Sequence, residues 1–428
     1  MTTTQMQLFW ALAATVLVVV PLAAWVRRGR GYAVFALVVL AVALPGAVVM
    51  HSRLVGWAPP EGAVWMHAAF VWCIAAAGLH LLALVRPRLR APWFRTLVSI
   101  PGMAFIAAGA LSGVWLLALL PIRAALWAAG STSVLAALRP LDLLPFVVAG
   151  ASVFTSIRPA REVVRVPLGH TGPDAVTRVP VQRYRRRRRP APLSARPLRI
   201  VQIADPHLGP WQPVARLRRR LQDLVAERPD LVLLTGDFLT MEGVGSPGAL
   251  GEALAPLRAL PGRCFATFGN HDHESPDEVR RALAQNGVRL LLDDEAVVET
   301  AVGAVQVVGA DYVFEGTREH LHALLARFPR RPDHLRLLLL HDPLGFRHVP
   351  KDDVDLTLSG HTHGGQLGLL SFGVDWTVLR RTRWPDHGLF AHGGNRLYVH
   401  RGTGHYGFPL RIGVPGEHSV LELVPAVD

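Results

Sequence analysis

Residues 360–366 read GHTHGGQ: His361 and His363 stand one residue apart, with Gly360, Gly364 and Gly365 around them. On a helix these imidazoles would lie on different faces, whereas an extended segment puts residues i and i+2 on one face, about 6–7 Å apart. The pattern therefore predicts an extended turn that presents a pair of ligands. The plainer alternative is a polar loop with structural histidines, and the residues upstream separate the two.

Five apolar runs upstream predict buried strands: LRIVQIA (198–204), LVLL (231–234), CFATF (264–268), LRLLLL (335–340) and VDLTL (354–358). PVARLRRRLQDLVAERP (213–229) and SPDEVRRALAQNG (275–287) predict helices between them, the second with Ser275 as N-cap, Pro276 at its first position and a closing Gly287. Such alternation argues for α/β layers. Every predicted strand is followed by polar residues: Asp205-Pro206-His207, Gly236-Asp237, Gly269-Asn270-His271-Asp272, His341, and the GHTHGGQ segment itself.

Taken singly, each has an innocent reading: a turn at Asp237, a cap at Asn270, a satisfied buried histidine at His341. All five at strand ends make coincidence a poor account, because loops at one end of the strands in layered α/β folds converge on a common site. The donors are oxygen and imidazole. The only cysteines, Cys73 and Cys264, form no thiolate site. Such a set suits Mn, Fe or Zn, and it holds more donors than one catalytic ion with an open position takes, so two ions are implied.

In this order the motifs resemble those of the calcineurin-like metallophosphoesterases, over roughly residues 196–424, and most closely the bacterial membrane-associated branch, in which GHTHGGQ is followed by a segment like RGTGHYGFPLRIG (401–413). The resemblance implies a four-layer α-β-β-α sandwich, two mixed sheets flanked by helices. It also implies that Asp205, His207 and His363 hold a first divalent or trivalent ion, that Asn270, His341 and His361 hold a second, and that Asp237 bridges them. His271 would ligate neither ion but face the substrate, as acid or charge stabiliser, with Asp272 holding its tautomer. Two ions can share a hydroxide and clamp the phosphoryl oxygens during hydrolysis of a phosphomonoester, phosphodiester or pyrophosphate. Pro206 stands at a position where the family varies, Asp311 in VGADY receives no metal role, and His405 and Tyr406 are candidates for the pocket border.

Half of the 428 residues are hydrophobic, and the mean hydropathy of +0.29 is too apolar for an ordinary soluble enzyme. The apolar residues concentrate before about residue 157. Leu8–Val26, Tyr32–Met50, Val64–Val85 and Leu97–Leu120 are long enough to span a bilayer, Leu141–Ile157 is a shorter fifth candidate, and 122–138 is an interfacial helix or a tight membrane segment. WVRRGR after the first run, with no basic residue before it, argues for a retained helix rather than a cleaved signal.

The expected organisation is a transmembrane region of about five helices (1–157), an Arg/Pro-rich linker (158–195) and the metallophosphoesterase domain (196–428). Arginine clusters at 27–30, 86–95 and 158–165 follow the odd-numbered spans, so an outside N-terminus with five spans makes the domain cytoplasmic in a multi-pass cell-membrane protein. Lys351 is the sole lysine, and arginine carries nearly all of the +13 charge. The run RYRRRRRP (183–190) fits a solvated linker or contact with membrane lipids; with no nucleic-acid module beside it, nucleic acid is the weaker partner. The expected substrate is a phosphoester, soluble or lipid-linked. The competing functional reading is a membrane protein whose domain binds metal or a phosphorylated ligand without turnover.

Overall fold

In this computed structural model, residues 3–169, 171–185, 195–405 and 407–424 are described. The chain divides into two compact units, Met1–Phe154 with Gly407–Leu410 and Thr155–Tyr406 with Arg411–Asp428.

Among the described residues, five helical segments are long and apolar enough to cross a membrane: Met6–Arg28, Arg30–Trp57, Pro60–Ala83, Pro92–Ala128 and Thr132–Ile157. The stretch 122–138 is no separate element. Its first part extends the fourth segment and its remainder belongs to the fifth. The second and fourth segments approach to backbone contact: a Cβ on Gly46 would lie 2.3 Å from the Gly109 carbonyl oxygen. Small residues drive this kind of packing, since apolar surface by itself does not hold helices together in lipid. Asp142, which makes the fifth segment look too polar to span, is buried and ion-paired to Arg53 at 2.6 Å and Arg123 at 2.5 Å. A paired carboxylate is tolerated there where a lone one would be costly.

The second unit holds two mixed seven-stranded sheets among the described residues. Its strands are β1 (Ala160–Pro167), β2 (Thr177–Val179), β3 (Gln182–Arg185), β4 (Leu198–Ile203), β5 (Leu231–Thr235), β6 (Cys264–Thr267), β7 (Arg289–Leu290), β8 (Asp294–Thr300), β9 (Gly303–Gly309), β10 (Leu335–Leu339), β11 (Leu356–Ser359), β12 (Gly388–His392), β13 (Asn395–Val399) and β14 (Glu417–Val424). One sheet runs β3-β1-β14-β4-β5-β6-β7, the other β2-β12-β13-β11-β10-β9-β8. All five strands expected from the sequence form. Their inward side chains, among them Ile200, Leu233, Phe265, Leu337, Leu339 and Leu358, make one core between the sheets. Helix Thr317–Arg327 buries Leu321, Leu324 and Leu325 against Leu338 and Leu340 of the second sheet, while Val214–Val225 and Pro276–Gln285 pack along the first. Gly287 closes the last of these with φ +67°, as expected, but Ser275 stands at its N-cap without accepting a cap hydrogen bond.

The linker reading of 158–195 needs correction, because residues 160–185 carry three strands. β1 pairs in parallel with β14 and buries Val163, Val164 and Val166. Arg183, the start of the arginine run, is an internal partner: its guanidinium lies 3.0 Å from Glu162 and 3.7 Å from Glu417. The rest of that run, 186–190, lies outside the described residues.

Register decides where the chemistry sits. Parallel pairing aligns Ile203 with Leu234 and Leu234 with Ala266 in the first sheet, and Gly309 with Leu339 and Leu339 with Leu358 in the second. The C-terminal ends of β4, β5, β6, β10 and β11 therefore open in step. Gln202 ties the two rows together, donating from Nε2 to Thr235 Oγ1 at 3.1 Å and across the core to the Ser359 carbonyl at 2.9 Å.

Candidate metal centre

The loops after these strand ends bring two groups of donors together. Asp205, His207 and His363 form one, and Asp237, His341 and His361 the other, with ligand atoms in each group within 4.8 Å of one another. Asn270 joins the second, its Oδ1 lying 3.1 Å from His361 Nδ1 and 3.3 Å from His341 Nε2. Asp237 Oδ2 faces both groups, 3.3 Å from His341 Nε2 and 3.6 Å from His207 Nε2. Each residue expected to touch a metal is thus found at one place.

His361 and His363 divide between the groups, but not through the extended geometry predicted for them. Both are left-handed, with φ of 68° and 53°, and Gly364 and Gly365 continue the turn at 63° and 70°. Asp205, His207 and Asp237 have φ of 47°, 42° and 59°. Five of the ten non-glycine residues with positive φ among the described residues are therefore candidate ligands. Such backbone costs roughly 1–3 kcal/mol per residue and persists where the surroundings hold it for a function.

Hydrogen bonds behind the site aim the imidazoles. His341 Nδ1–H donates to the Thr235 carbonyl at 2.7 Å and His207 Nδ1–H to the Leu239 carbonyl at 3.3 Å, which turns the Nε2 lone pair of each toward the donor groups. The His361 backbone N–H donates to both oxygens of Asp205, at 3.0 and 3.1 Å. Asp272, expected to steady His271, instead accepts from the backbone N–H groups of Asp237, Phe238 and Gly269 at 2.7, 2.9 and 2.7 Å, and so shapes two ligand loops at once. Glu274 is the residue that takes His271: Nδ1 lies 2.7 Å from its Oε1.

The donors fit a cation. His207 Nε2 and His363 Nε2 lie 3.2 Å apart, and two lone pairs at that distance repel unless a proton or a metal sits between them. Burial, only partly offset by His341, pushes the Asp205 carboxyl up to about 7. Burial also depresses the His341 imidazole, yet Asp237 outweighs it and raises the group to about 10, so the protein field calls for positive charge at these atoms. A cation there would take the place of that proton. For His271, burial is outweighed by the Glu274 hydrogen bond and the charge of Asp237, and its pKa is raised. His271 belongs to neither donor group, and its side chain is 28 % exposed.

The residues 198–365 match the family profile "Calcineurin-like phosphoesterase". Phosphodiesterase YaeI of Escherichia coli is 31 % identical over 235 residues, which cover 54 % of this chain and 84 % of that one. The chain belongs to the calcineurin-like phosphoesterases. Two further relatives share a name, "Transmembrane protein with metallophosphoesterase domain": that of Bos taurus is 30 % identical over 277 residues (59 % of this chain, 58 % of that one) and that of Danio rerio 29 % over 257 (55 % of each). This calcineurin-like phosphoesterase is accordingly a phosphoric ester hydrolase and a membrane protein, with two groups of residues suited to metal.

Some functional neighbours escape a reading of motifs. Arg411, fully buried, donates to the carbonyls of His363 at 3.0 Å and Arg401 at 2.7 Å, holding the second half of GHTHGGQ from behind. Tyr312 stands with its ring centroid 6.0 Å from His341 and 6.3 Å from His361. Its place just after a strand, in VGADYVF, was the available signal. Neighbouring Asp311 accepts from His273 at 3.1 Å and lies in neither donor group. His405 is buried with its ring centroid 5.3 Å from that of Trp211; burial lowers the pKa of the His363 imidazole and the charge of His405 helps to lower it, while Tyr406 lies outside the described residues.

Proposed function

We propose that the protein is a membrane-anchored phosphoesterase using two metal ions, Mn, Fe or Zn, to hydrolyse a phosphomonoester, phosphodiester or pyrophosphate. The observation that carries this is the carboxylate oxygen of Asp237 standing between two complete donor groups. Bound there, a pair of ions would supply an activated water and Lewis-acid polarisation of the phosphoryl group. Asp205, His207 and His363 would hold one ion, Asn270, His341 and His361 the other, and Asp237 both. His271, its Nδ1 fixed by Glu274, carries the second proton of its charged form on Nε2. From there it neutralises charge on the transition state and protonates the leaving oxygen. The purified full chain should hydrolyse an aryl phosphomonoester or phosphodiester with two metals counted per chain, lose activity on chelation and regain it on metal addition. A metal-loaded protein inert toward both esters would overturn turnover in favour of a domain that only binds.

We also propose that the catalytic domain faces the cytoplasm, since five spans leave each arginine cluster on that side. A compartment-sensitive reporter fused after Asp428 should read cytoplasmic; an external signal would reverse the topology.

A further inference from the structure

The segment that follows GHTHGGQ has no part in the chemistry above, yet it carries the second unit's densest run of exposed apolar side chains. Leu367–Val378 fold back as a hairpin. Val378 N–H donates to the Leu367 carbonyl at 3.0 Å and Leu369 N–H to the Trp376 carbonyl at 2.9 Å, with the turn around Phe372 and Gly373. Leu369, Phe372, Val374, Trp376 and Val378 are all exposed, Phe372 by 77 %. Phe314, 73 % exposed, stands near the same site through Tyr312, ring to ring at 5.0 Å. In Thr155–Asp428 the other exposed large apolar side chains among the described residues are Val297 and Val302 only. Exposure is therefore gathered beside the site, as at an interaction surface, and not scattered as on an ordinary protein face.

The hairpin is rooted in the site itself. A Cβ on Gly365, two residues after His363, would lie 3.2 Å from Val378 and 3.1 Å from Leu379. Thr377 Oγ1 donates to Asp386 Oδ2 at 2.6 Å, and Thr362, between the two histidines, donates to the Asp386 carbonyl at 2.6 Å. Below the turn, Leu370 and Val374 overhang a cavity of about 530 Å³ whose other walls include Val179, Val181 and Arg401. Arg380, Arg381, Arg383 and Trp384 follow the hairpin. Its one carboxylate, Asp375, turns back to His387 at 3.2 Å and Arg380 at 3.6 Å.

The geometry points to a bilayer surface as the partner of this finger and, resting on the phosphoesterase reading, to a phosphoester borne by a lipid as the substrate. Phe, Val and Trp at a tip with arginines behind it is the composition of an element that lies in the headgroup boundary, aromatic and aliphatic groups inward and guanidinium groups toward anionic phosphates. Chain continuity tethers the domain to the apolar helices by a short link: the last of them ends at Ile157 and β1 begins at Ala160.

The test uses the full chain in vesicles of phosphatidylcholine and phosphatidylglycerol. With Cys73→Ala as background, an environment-sensitive fluorophore on Phe372→Cys should be quenched by nitroxide-labelled lipid and shielded from aqueous iodide. Quenching by iodide and none by lipid nitroxide would overturn the finger's placement. Separately, Phe372→Asp with Val374→Asp should lower hydrolysis of a vesicle-borne phosphoester about tenfold while sparing a soluble aryl phosphodiester, because charges at the tip oppose entry into the boundary. Equal loss on both substrates would overturn the lipid-borne assignment. Failure of the phosphoesterase reading shows instead in the unmutated protein, inert toward either ester, and the quenching result then still decides the finger.

Discussion

Asp237→Asn should lower turnover of an aryl phosphoester by about a thousandfold or more while leaving the fold intact. The substitution preserves shape. Asp237 Oδ1 accepts the His271 backbone N–H at 2.9 Å, and an asparagine oxygen can do the same. That places the new amide nitrogen where Oδ2 was, facing His341 Nε2 and His207 Nε2. An acceptor shared by both donor groups becomes a pair of N–H donors, which neither ligates nor attracts a cation. Metal counting should therefore fall together with kcat, and the loss should exceed that from changing a residue of one group only. His361→Ala and His363→Ala, one in each group, provide the comparison: each should weaken retention of one ion. If Asp237→Asn kept two metals per chain and near-normal turnover, the bridging role would be lost, and with it the reason for reading two groups as one centre.

What sequence could reveal of this centre followed from its construction. Strands buried on both sides read as near-continuous apolar runs, and β4, β5, β6, β10 and β11 are of that kind. Because parallel register aligns their ends, the residue one to three places beyond each run was enough to name Asp205, Asp237, Asn270, His341 and His361. β1, β3 and β14 obey no such pattern. β1 mixes charged residues with valines and pairs with a strand over 250 residues away in sequence, and β14 opens on Glu417. That carboxylate is buried among Arg401, Arg183 and the Tyr398 hydroxyl, so a polar start conceals an interior strand. Ion pairs of this kind depend on partners that only the tertiary fold supplies, and arginines in 158–185 consequently read as linker. The GHTHGGQ turn failed differently. Its histidines fall in separate donor groups, as expected, but left-handed backbone at His361 and His363 is steric strain imposed from outside, which local preference opposes.

The same contrast between neighbours in sequence and neighbours in space sets the expected behaviour of His271→Ala. This variant should keep its metals, since His271 belongs to neither donor group, and lose about 10²–10⁴ in kcat, the range for removal of a positioned acid. The adjacent acid, Asp272, accepts three backbone N–H groups and leaves the imidazole to Glu274, which lies three residues on across the short 3-10 turn Asp272–Glu274. Glu274→Gln should consequently cost less than His271→Ala, and should cost nothing further when combined with it, because a residue acting through the imidazole has no effect once the imidazole is gone. Asp272→Asn should behave otherwise. An amide in its place sets a donor against a backbone N–H, so it should lower thermal stability, by about 1–3 kcal/mol, and remain additive with His271→Ala. Undiminished turnover in His271→Ala with both metals present would remove the acid from the site and leave the loop after β6 with a purely structural histidine.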